Sequence, residues 1–193
     1  ADKEIDANFF QHKPYLDEFC ADRGLKLSSL TAVHIEPMGV YSRKVKGIAD
    51  VAEGAQVAIP NDPTNGGRAL KVLETAGLIK LKPEAGILAT VGDVAENPKK
   101  VKFIEIESAQ LPRALDDVDL AVINSNYALG ANLNPLKDAI AIEAKDSPYA
   151  NVVAVRTGEE NRAEFQKLKA ALSSPELKKF LEEQYKGAVV PAF

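Results

Sequence analysis

The sequence predicts an α/β protein with a mainly parallel sheet. Segments of strand character alternate with segments of helical character: strands are expected near 56–59, 101–106 and 119–123, and helices at 65–76 and 108–115. Such alternation is typical of crossover units, which place successive strands side by side in one direction. A length of 193 residues allows one large domain or two smaller lobes.

The outer parts of the chain predict further elements. Near the N-terminus, a helix over 14–24 begins at a proline and ends at a glycine, and extended segments follow at 30–35 and 38–42. Near the C-terminus, an extended segment over 149–156 precedes two more helices. These helices span 161–172 and 175–186, and the second begins at Ser174 and Pro175.

Within the sheet, side-chain patterns predict strand positions. Residues 101–106 alternate polar and apolar side chains, which indicates an edge strand or one solvated face. Residues 120–123 are apolar throughout, which favours a central strand. A short helix is expected near 92–96.

The composition excludes several classes of function. A net charge of −4 with mixed signs argues against nucleic-acid binding. Cys20 is the only cysteine and is expected to be a small buried side chain, so the sequence offers no cysteine-built metal site. The two histidines, His12 and His34, stand in no recognisable hydrolase motif. We therefore expect no catalytic residues, no metal and no cofactor.

The segment 59–68 has the pattern of an anion site. A strand runs into a helix start that carries Gly66, Gly67 and Arg68, with Thr64 as the expected N-cap. A cation beside the positive end of a helix dipole is repelled unless an anion lies between them, and glycines permit close approach of a ligand. The alternative is a solvated arginine beside ordinary turn glycines.

A second polar group follows the strand expected at 119–123. Asn124 and Tyr127 lie at its carboxyl end, where ligands collect in open parallel sheets. The two asparagines at 124 and 126 can equally serve only to shape the turn.

Several motifs in the same order resemble the methionine-binding NLPA lipoprotein family. They cover nearly the whole chain: IDANFFQHKPYL (5–16), HIEPMG (34–39), PNDPTN (60–65), GRAL (67–70), AQLPR (109–113), VIN (122–124) with Tyr127 and Ala128, and SPY (147–149) with Asn151.

The resemblance implies a two-lobe periplasmic-binding-protein fold, type II-like, with a ligand cleft between the lobes. Lobe 1 would hold residues 1–43 and 149–193, and lobe 2 residues 44–148, with hinge connections near 44–54 and 128–148. The N-terminal strand-helix-strand unit, signal peptide and lipid-bearing cysteine of the family are expected to be absent from this sequence.

The resemblance also implies that the function is binding, with no covalent bond made or broken. Members are extracytoplasmic, lipid-anchored substrate-binding proteins that capture methionine for an ABC permease in the bacterial cell membrane. Arg68 would pair with the ligand carboxylate, Asn124 and Asn151 would bind the amino-acid head group, and an aromatic cluster would surround the thioether. That cluster comprises Phe10, His12 and Tyr15, while secondary candidates are Asn65, Gly66, Gly67 and Tyr127.

Alternatives remain open at the level of the sequence. The ligand can be L-methionine, D-methionine, another small amino acid or a methionine-containing dipeptide. His12 can be a hydrogen-bonded core histidine, and a different class of protein would use it as the acid or base of an enzyme acting on a small carboxylate.

Overall fold

The computed structural model describes residues 2–144 and 147–193, and its contacts divide the chain into two compact units. Unit 1 comprises residues 1–36 and 145–193, and unit 2 comprises residues 37–144. The strands are β1 (Ala7–His12), β2 (Leu27–Ile35), β3 (Gly39–Tyr41), β4 (Gln56–Pro60), β5 (Lys80–Leu81), β6 (Val94–Glu96), β7 (Lys102–Ile106), β8 (Leu120–Ile123), β9 (Ala141–Ile142), β10 (Ala150–Arg156) and β11 (Val190–Pro191). The helices are α1 (Lys13–Arg23), α2 (Pro63–Thr75), α3 (Leu111–Ala114), α4 (Ser125–Gly130), α5 (Ala163–Leu172) and α6 (Pro175–Tyr185).

Unit 2 contains a five-stranded sheet in the order β7-β4-β8-β3-β9. Its strands β7, β4 and β8 are parallel, as the alternation of strands and helices predicts, whereas β3 runs antiparallel to β8 and β9. The alternating strand β7 lies at the edge and the apolar strand β8 lies at the centre. Both predictions of strand position are therefore confirmed.

Two apolar clusters cover the two faces of this sheet. Val57 and Ile59 of β4 pack with Leu70 and Leu73 of α2 on one face. Ala58, between them in sequence, belongs to a second cluster with Leu111, Leu115 and Ile123. Successive residues of a strand point to opposite faces, so a strand that is apolar at every position can fill both clusters. Each such aliphatic side chain contributes about 1.5–3 kcal/mol on burial.

Unit 1 contains a four-stranded sheet in the order β1-β10-β2-β11, and every neighbouring pair is antiparallel. The parallel arrangement predicted from residues 56–123 does not extend to this sheet. Strands β1 and β2 flank α1 and do run in one direction, but β10 from the distant C-terminal segment lies between them. Because β10 comes from another part of the chain and lies between β1 and β2, these two strands each pair with an antiparallel neighbour instead of with each other.

Several element boundaries differ from the sequence expectations. Strand β1 and helix α4 were not predicted, and the helix expected near 92–96 is a 3-10 turn (Val91–Asp93) followed by β6. The N-terminal helix ends at Gly24 with φ 62°, and α6 is capped by Ser174, whose side chain accepts the Leu177 N–H. These two predicted helix ends are confirmed.

The compact units divide at 36/37 and 144/145, whereas the sequence places the lobe boundaries at 43/44 and 148/149. The first difference arises because β3 pairs with β8 and β9 and therefore belongs to unit 2. Residues 145 and 146, which fall in the expected 128–148 connection, lie outside the described residues. No helix in the described part of the chain has the length and apolar character needed to cross a bilayer.

Candidate functional site

Arg68 is buried in unit 2 and is paired with a carboxylate. Its side chain is only 3% exposed. Its Nε donates to both carboxylate oxygens of Glu143, at 3.0 and 3.1 Å, and its Nη2 donates to Oε2 at 2.5 Å. Two donors on one edge of the planar guanidinium bind the carboxylate side-on, and such charge-assisted bidentate contacts are stronger than hydrogen bonds between neutral groups. The alternative of a solvated surface arginine is therefore excluded.

Glu143 is itself fixed by the backbone that follows β9. Its Oε2 accepts the Met38 N–H at 3.0 Å, and its own N–H donates to the Met38 carbonyl at 2.9 Å. Sequence reasoning missed Glu143, because it lies 75 residues from Arg68 and no local pattern links the two.

The helix that carries Arg68 begins earlier than expected. It starts at Pro63, and its N-cap is Asp62 rather than Thr64, since the Asp62 side chain accepts the Asn65 N–H at 3.0 Å. Arg68 therefore lies in the second turn, where the helix dipole acts only weakly. The need for an anion arises from burial of the guanidinium and not from its position at the helix start.

Gly66 and Gly67 serve the packing of α2. The Gly66 N–H donates to the Asp62 carbonyl at 2.8 Å within the helix. A Cβ at Gly67 would clash with the Ile87 carbonyl oxygen and lie 2.9 Å from the Ala89 nitrogen. At both glycines the chain's own backbone makes a close approach, and their role toward a ligand stays a prediction.

An amide network links α2 to the carboxyl end of β8. The Asn65 Nδ2 donates to the Asp62 carboxylate at 3.0 and 3.1 Å, and its Oδ1 accepts the Asn124 Nδ2 at 2.8 Å. Asn124 also occupies the N-cap position of α4, although its side chain makes no capping hydrogen bond. Its Oδ1 is buried and accepts no hydrogen bond within the described residues. Tyr127, one turn into α4, packs half-buried against the cluster that contains Leu111.

His12 joins β1 to α1 in unit 1. It is the N-cap of α1, is 6% exposed, and its Nδ1 accepts the Tyr15 N–H at 3.1 Å. An accepting Nδ1 places the proton of the neutral ring on Nε2. Its ring makes edge contacts with Tyr149 at 5.1 Å and with Tyr15 at 6.1 Å between centroids.

Further aromatic side chains surround Tyr15. It stacks on Phe19 at 6.0 Å and meets the edge of Phe10 at 6.3 Å, although Phe10 is 65% exposed. All three rings line a mainly apolar cavity of about 380 Å³ in unit 1. The residues that line this cavity include neither His12 nor Asn151, so the cavity collects only part of the predicted aromatic set.

Asn151 faces a histidine across the unit 1 sheet. Its register partner is His34 of β2, and its Nδ2 lies 3.0 Å from the His34 Nε2. The same Nε2 lies 2.9 Å from the Glu36 Oε1. Sequence reasoning missed His34 and Tyr149 as neighbours of the site. His34 lies near the end of β2 and Glu36 directly follows that strand, so their spacing of two residues could have indicated that their side chains lie on one side of the sheet.

The structure thus brings the predicted residues together in two groups. Unit 2 joins Arg68, Asn65 and Asn124 to Glu143 and Asp62, and unit 1 joins Asn151 and His12 to His34 and Tyr149. Among residues 2–144 and 147–193, no cluster of three or more His, Cys, Asp or Glu residues could hold a metal ion. The unit 2 group offers hydrogen bonds and charge, and the unit 1 group offers hydrogen bonds and aromatic faces; such features suit binding of a small polar molecule.

Comparisons with known proteins give a consistent result. The model of the NlpA lipoprotein family matches residues 1–193. A nutrient binding protein from Burkholderia cenocepacia, solved with methionine bound, is 53% identical with a TM-score of 0.95; the match covers 98% of this chain and 80% of that chain. A periplasmic substrate-binding protein of an ABC transporter from Coxiella burnetii is 46% identical with a TM-score of 0.95, covering 100% of this chain and 81% of that chain. The Vibrio cholerae protein named "Probable D-methionine-binding lipoprotein MetQ" is 47% identical over 189 residues, which are 98% of this chain and 70% of that protein.

Proposed function

Because the chain belongs to the NlpA lipoprotein family, we propose that it is the substrate-binding component of an ABC importer, which captures methionine and delivers it to a membrane permease. The observation that carries this proposal is the match to the Burkholderia cenocepacia protein that was solved with methionine bound. The chain is a binding protein and not an enzyme. The alternative of His12 as an acid or base is not adopted, because the relatives are named as binding proteins and its Nδ1 is engaged as the cap of α1.

Arg68 is the proposed partner of the ligand carboxylate. A free amino acid is a zwitterion, and a buried charge without a partner costs several kcal/mol. A guanidinium can hold a carboxylate through two parallel hydrogen bonds and has donors on more than one edge. Glu143 contacts Nε and Nη2, and we assign the ligand carboxylate to the same guanidinium.

The two asparagines are the proposed partners of the head group. The buried Oδ1 of Asn124 is an acceptor without a described donor, which suits an ammonium group. Asn65 holds the Asn124 amide through its own Oδ1 and so orients that acceptor. Asn151, held beside His34, would supply the second amide.

The aromatic residues of unit 1 are the proposed surroundings of the thioether. His12 and Tyr15 contact each other edge-on, and Phe10 extends this group from the exposed side. A sulfur atom against a ring edge contributes about 0.3–1.5 kcal/mol per contact. Tyr127 stays a secondary candidate, whereas Gly66 and Gly67 are assigned to packing.

The location and the partners of the protein follow from the same proposal. Relatives of this chain are named as lipoproteins, and one solved relative is named as an ABC transporter component. We propose an extracytoplasmic location, with the protein tethered to the bacterial membrane by a lipid on an N-terminal cysteine. The permease subunits of an ABC importer are its proposed partners.

Mass spectrometry of ligand released by denaturation tests the proposal without assuming the ligand. The protein purified from rich medium should release methionine in near-stoichiometric amount. After removal of bound ligand, calorimetry with L-methionine, D-methionine, a methionine-containing dipeptide and leucine should give tight binding of a methionine form and weak binding of leucine. Hydrophobic discrimination between such side chains is only about 1–3 kcal/mol. Equal or absent binding across the panel would contradict the proposal.

A further inference from the structure

The Arg68–Glu143 pair has a consequence for the charge of the ligand. Arg68 is 3% exposed and the Glu143 side chain 10% exposed, so neither charge is well screened by water. At such burial a carboxylate influences other charges nearby more strongly than it would at the surface. A ligand bound to Arg68 therefore meets a second, permanent carboxylate next to the same guanidinium.

Glu143 cannot readily move away to make room. Three hydrogen bonds from Arg68 and one from the Met38 N–H hold its carboxylate, and its backbone N–H is bonded to the Met38 carbonyl. Breaking these contacts would leave a buried Arg68 and an unpaired backbone donor, and both changes are costly. The carboxylate of Glu143 is thus a fixed part of the site.

A fixed negative charge acts differently on different ligands. A simple carboxylate anion gains from Arg68 but is opposed by Glu143, whereas a zwitterion also brings an ammonium group that Glu143 attracts. We infer that Glu143 is a specificity-determining residue, which makes the site select zwitterionic amino acids over carboxylate anions of the same shape. This inference rests on the proposed function, because it takes Arg68 as the partner of the ligand carboxylate.

The test compares methionine with 4-(methylthio)butanoate, which keeps the side chain and carboxylate but lacks the ammonium group. Calorimetry gives the affinity ratio of the two compounds for the wild-type protein, Glu143→Gln and Glu143→Asp. Gln keeps the shape of the side chain and removes its charge, while Asp keeps the charge and shortens the side chain. We expect the ratio to fall by roughly tenfold or more in Glu143→Gln and to be largely kept in Glu143→Asp.

A purely structural role would lower both affinities by the same factor and leave the ratio unchanged, which would overturn the inference. If Glu143→Gln does not fold, the wild-type protein still decides. Its affinities for 4-(methylthio)butanoate and the neutral amide of that compound should lie within about tenfold, since Glu143 offsets the gain from Arg68. A preference for the anion by a hundredfold would refute the role of Glu143. Failure of the wild-type protein to bind methionine would instead refute the proposed function.

Discussion

The side-chain oxygen of Asn124 is buried and accepts no hydrogen bond within the described residues. Leaving such an acceptor unpaired costs about 1–3 kcal/mol, so a donor from a ligand or an ordered water is expected at this oxygen. The nitrogen of the same amide is occupied by Asn65, which fixes the direction of the oxygen. The proposed role of Asn124 as a binding group therefore predicts that this residue contributes more to ligand binding than to stability.

Asn124→Ala is expected to weaken methionine binding without weakening the fold. Loss of a hydrogen bond to an ammonium group should cost about 1.5–3 kcal/mol of binding free energy. The free energy of unfolding should stay within about 1 kcal/mol of wild type, because removal of the unpaired oxygen offsets loss of the Asn65 contact. Calorimetry and urea denaturation measure the two quantities. Asn126→Ala, at an exposed neighbouring position, is the control and should change neither.

Gly67→Ala is expected to destabilise the protein. The new methyl group would meet the Ile87 carbonyl and the Ala89 nitrogen, and both are backbone atoms that cannot rotate aside. Overpacking of this kind costs about 1–3 kcal/mol, despite the higher helix propensity of alanine. Gly130→Ala, with no atom within 4 Å of its added methyl group, should leave the urea midpoint unchanged or slightly raised. Equal midpoints for Gly67→Ala and wild type would refute the packing role.

At the residue scale, the sequence alone predicts which residues are candidates for the site better than it predicts which residues they contact. The arginine and its helix were found because the local pattern Ile59 to Arg68 has a physical meaning on its own. Glu143 was missed because its role depends on a contact across 75 residues. The sequence indicated a close approach at the two glycines but did not reveal that backbone atoms of the chain make one there.

At the element scale, the connection from β10 to α5 is held by a cluster of ions near the surface, with Arg156 and Glu159 half-buried. Arg156 donates to Glu159 and to Asp6, and Arg162 contacts the same two carboxylates. The hydrogen bonds from Arg156 and then Arg162 lower the pKa of Glu159 from an ordinary value of 4.5 to about 2. The same two guanidiniums, Arg162 first, also lower the pKa of Asp6.

This cluster should make a pH-dependent contribution to stability. A carboxylate with a lower pKa in the folded state stabilises the fold above its unfolded pKa, and the stabilisation is lost as pH falls through the folded pKa. The stability difference between wild type and Glu159→Gln should therefore be largest above about pH 5 and should vanish toward pH 2. Thermal denaturation across this range measures it, and added salt should reduce it.

The control is Glu164→Gln, since Glu164 is 71% exposed and its carboxylate lies 3.6 Å from the Nε of Arg162. Its effect on the melting temperature should be small at every pH. A pH-independent difference for Glu159→Gln would show that the residue acts by packing rather than by charge.

Strands whose own sequence has a strong pattern were predicted, and strands whose conformation depends on pairing with a distant segment were not. Strand β8 is apolar at every position and β7 alternates, so each reports its own place in the sheet. Strand β1 contains Asn8, Gln11 and His12, and its strand conformation follows from pairing with β10. Strand propensity is context-dependent, and such a segment carries no signal of its own.

At the scale of the whole molecule, unit 1 is built from the two ends of the described chain. Strand β10 lies between β1 and β2, although more than a hundred residues separate it from either in sequence. Rules for consecutive elements cannot predict such an insertion. The resemblance in motifs did predict a family, and that prediction is confirmed by the family match over residues 1–193.

The central claim is that Arg68 holds the carboxylate of a bound methionine. The most direct test is calorimetric titration of methionine into wild type and Arg68→Ala, with circular dichroism to establish that the variant is folded. Removing the partner of a buried charge should cost about 2–5 kcal/mol of binding free energy, or roughly 30-fold to several thousand-fold in Kd. A folded Arg68→Ala protein that binds methionine as tightly as wild type would contradict the account.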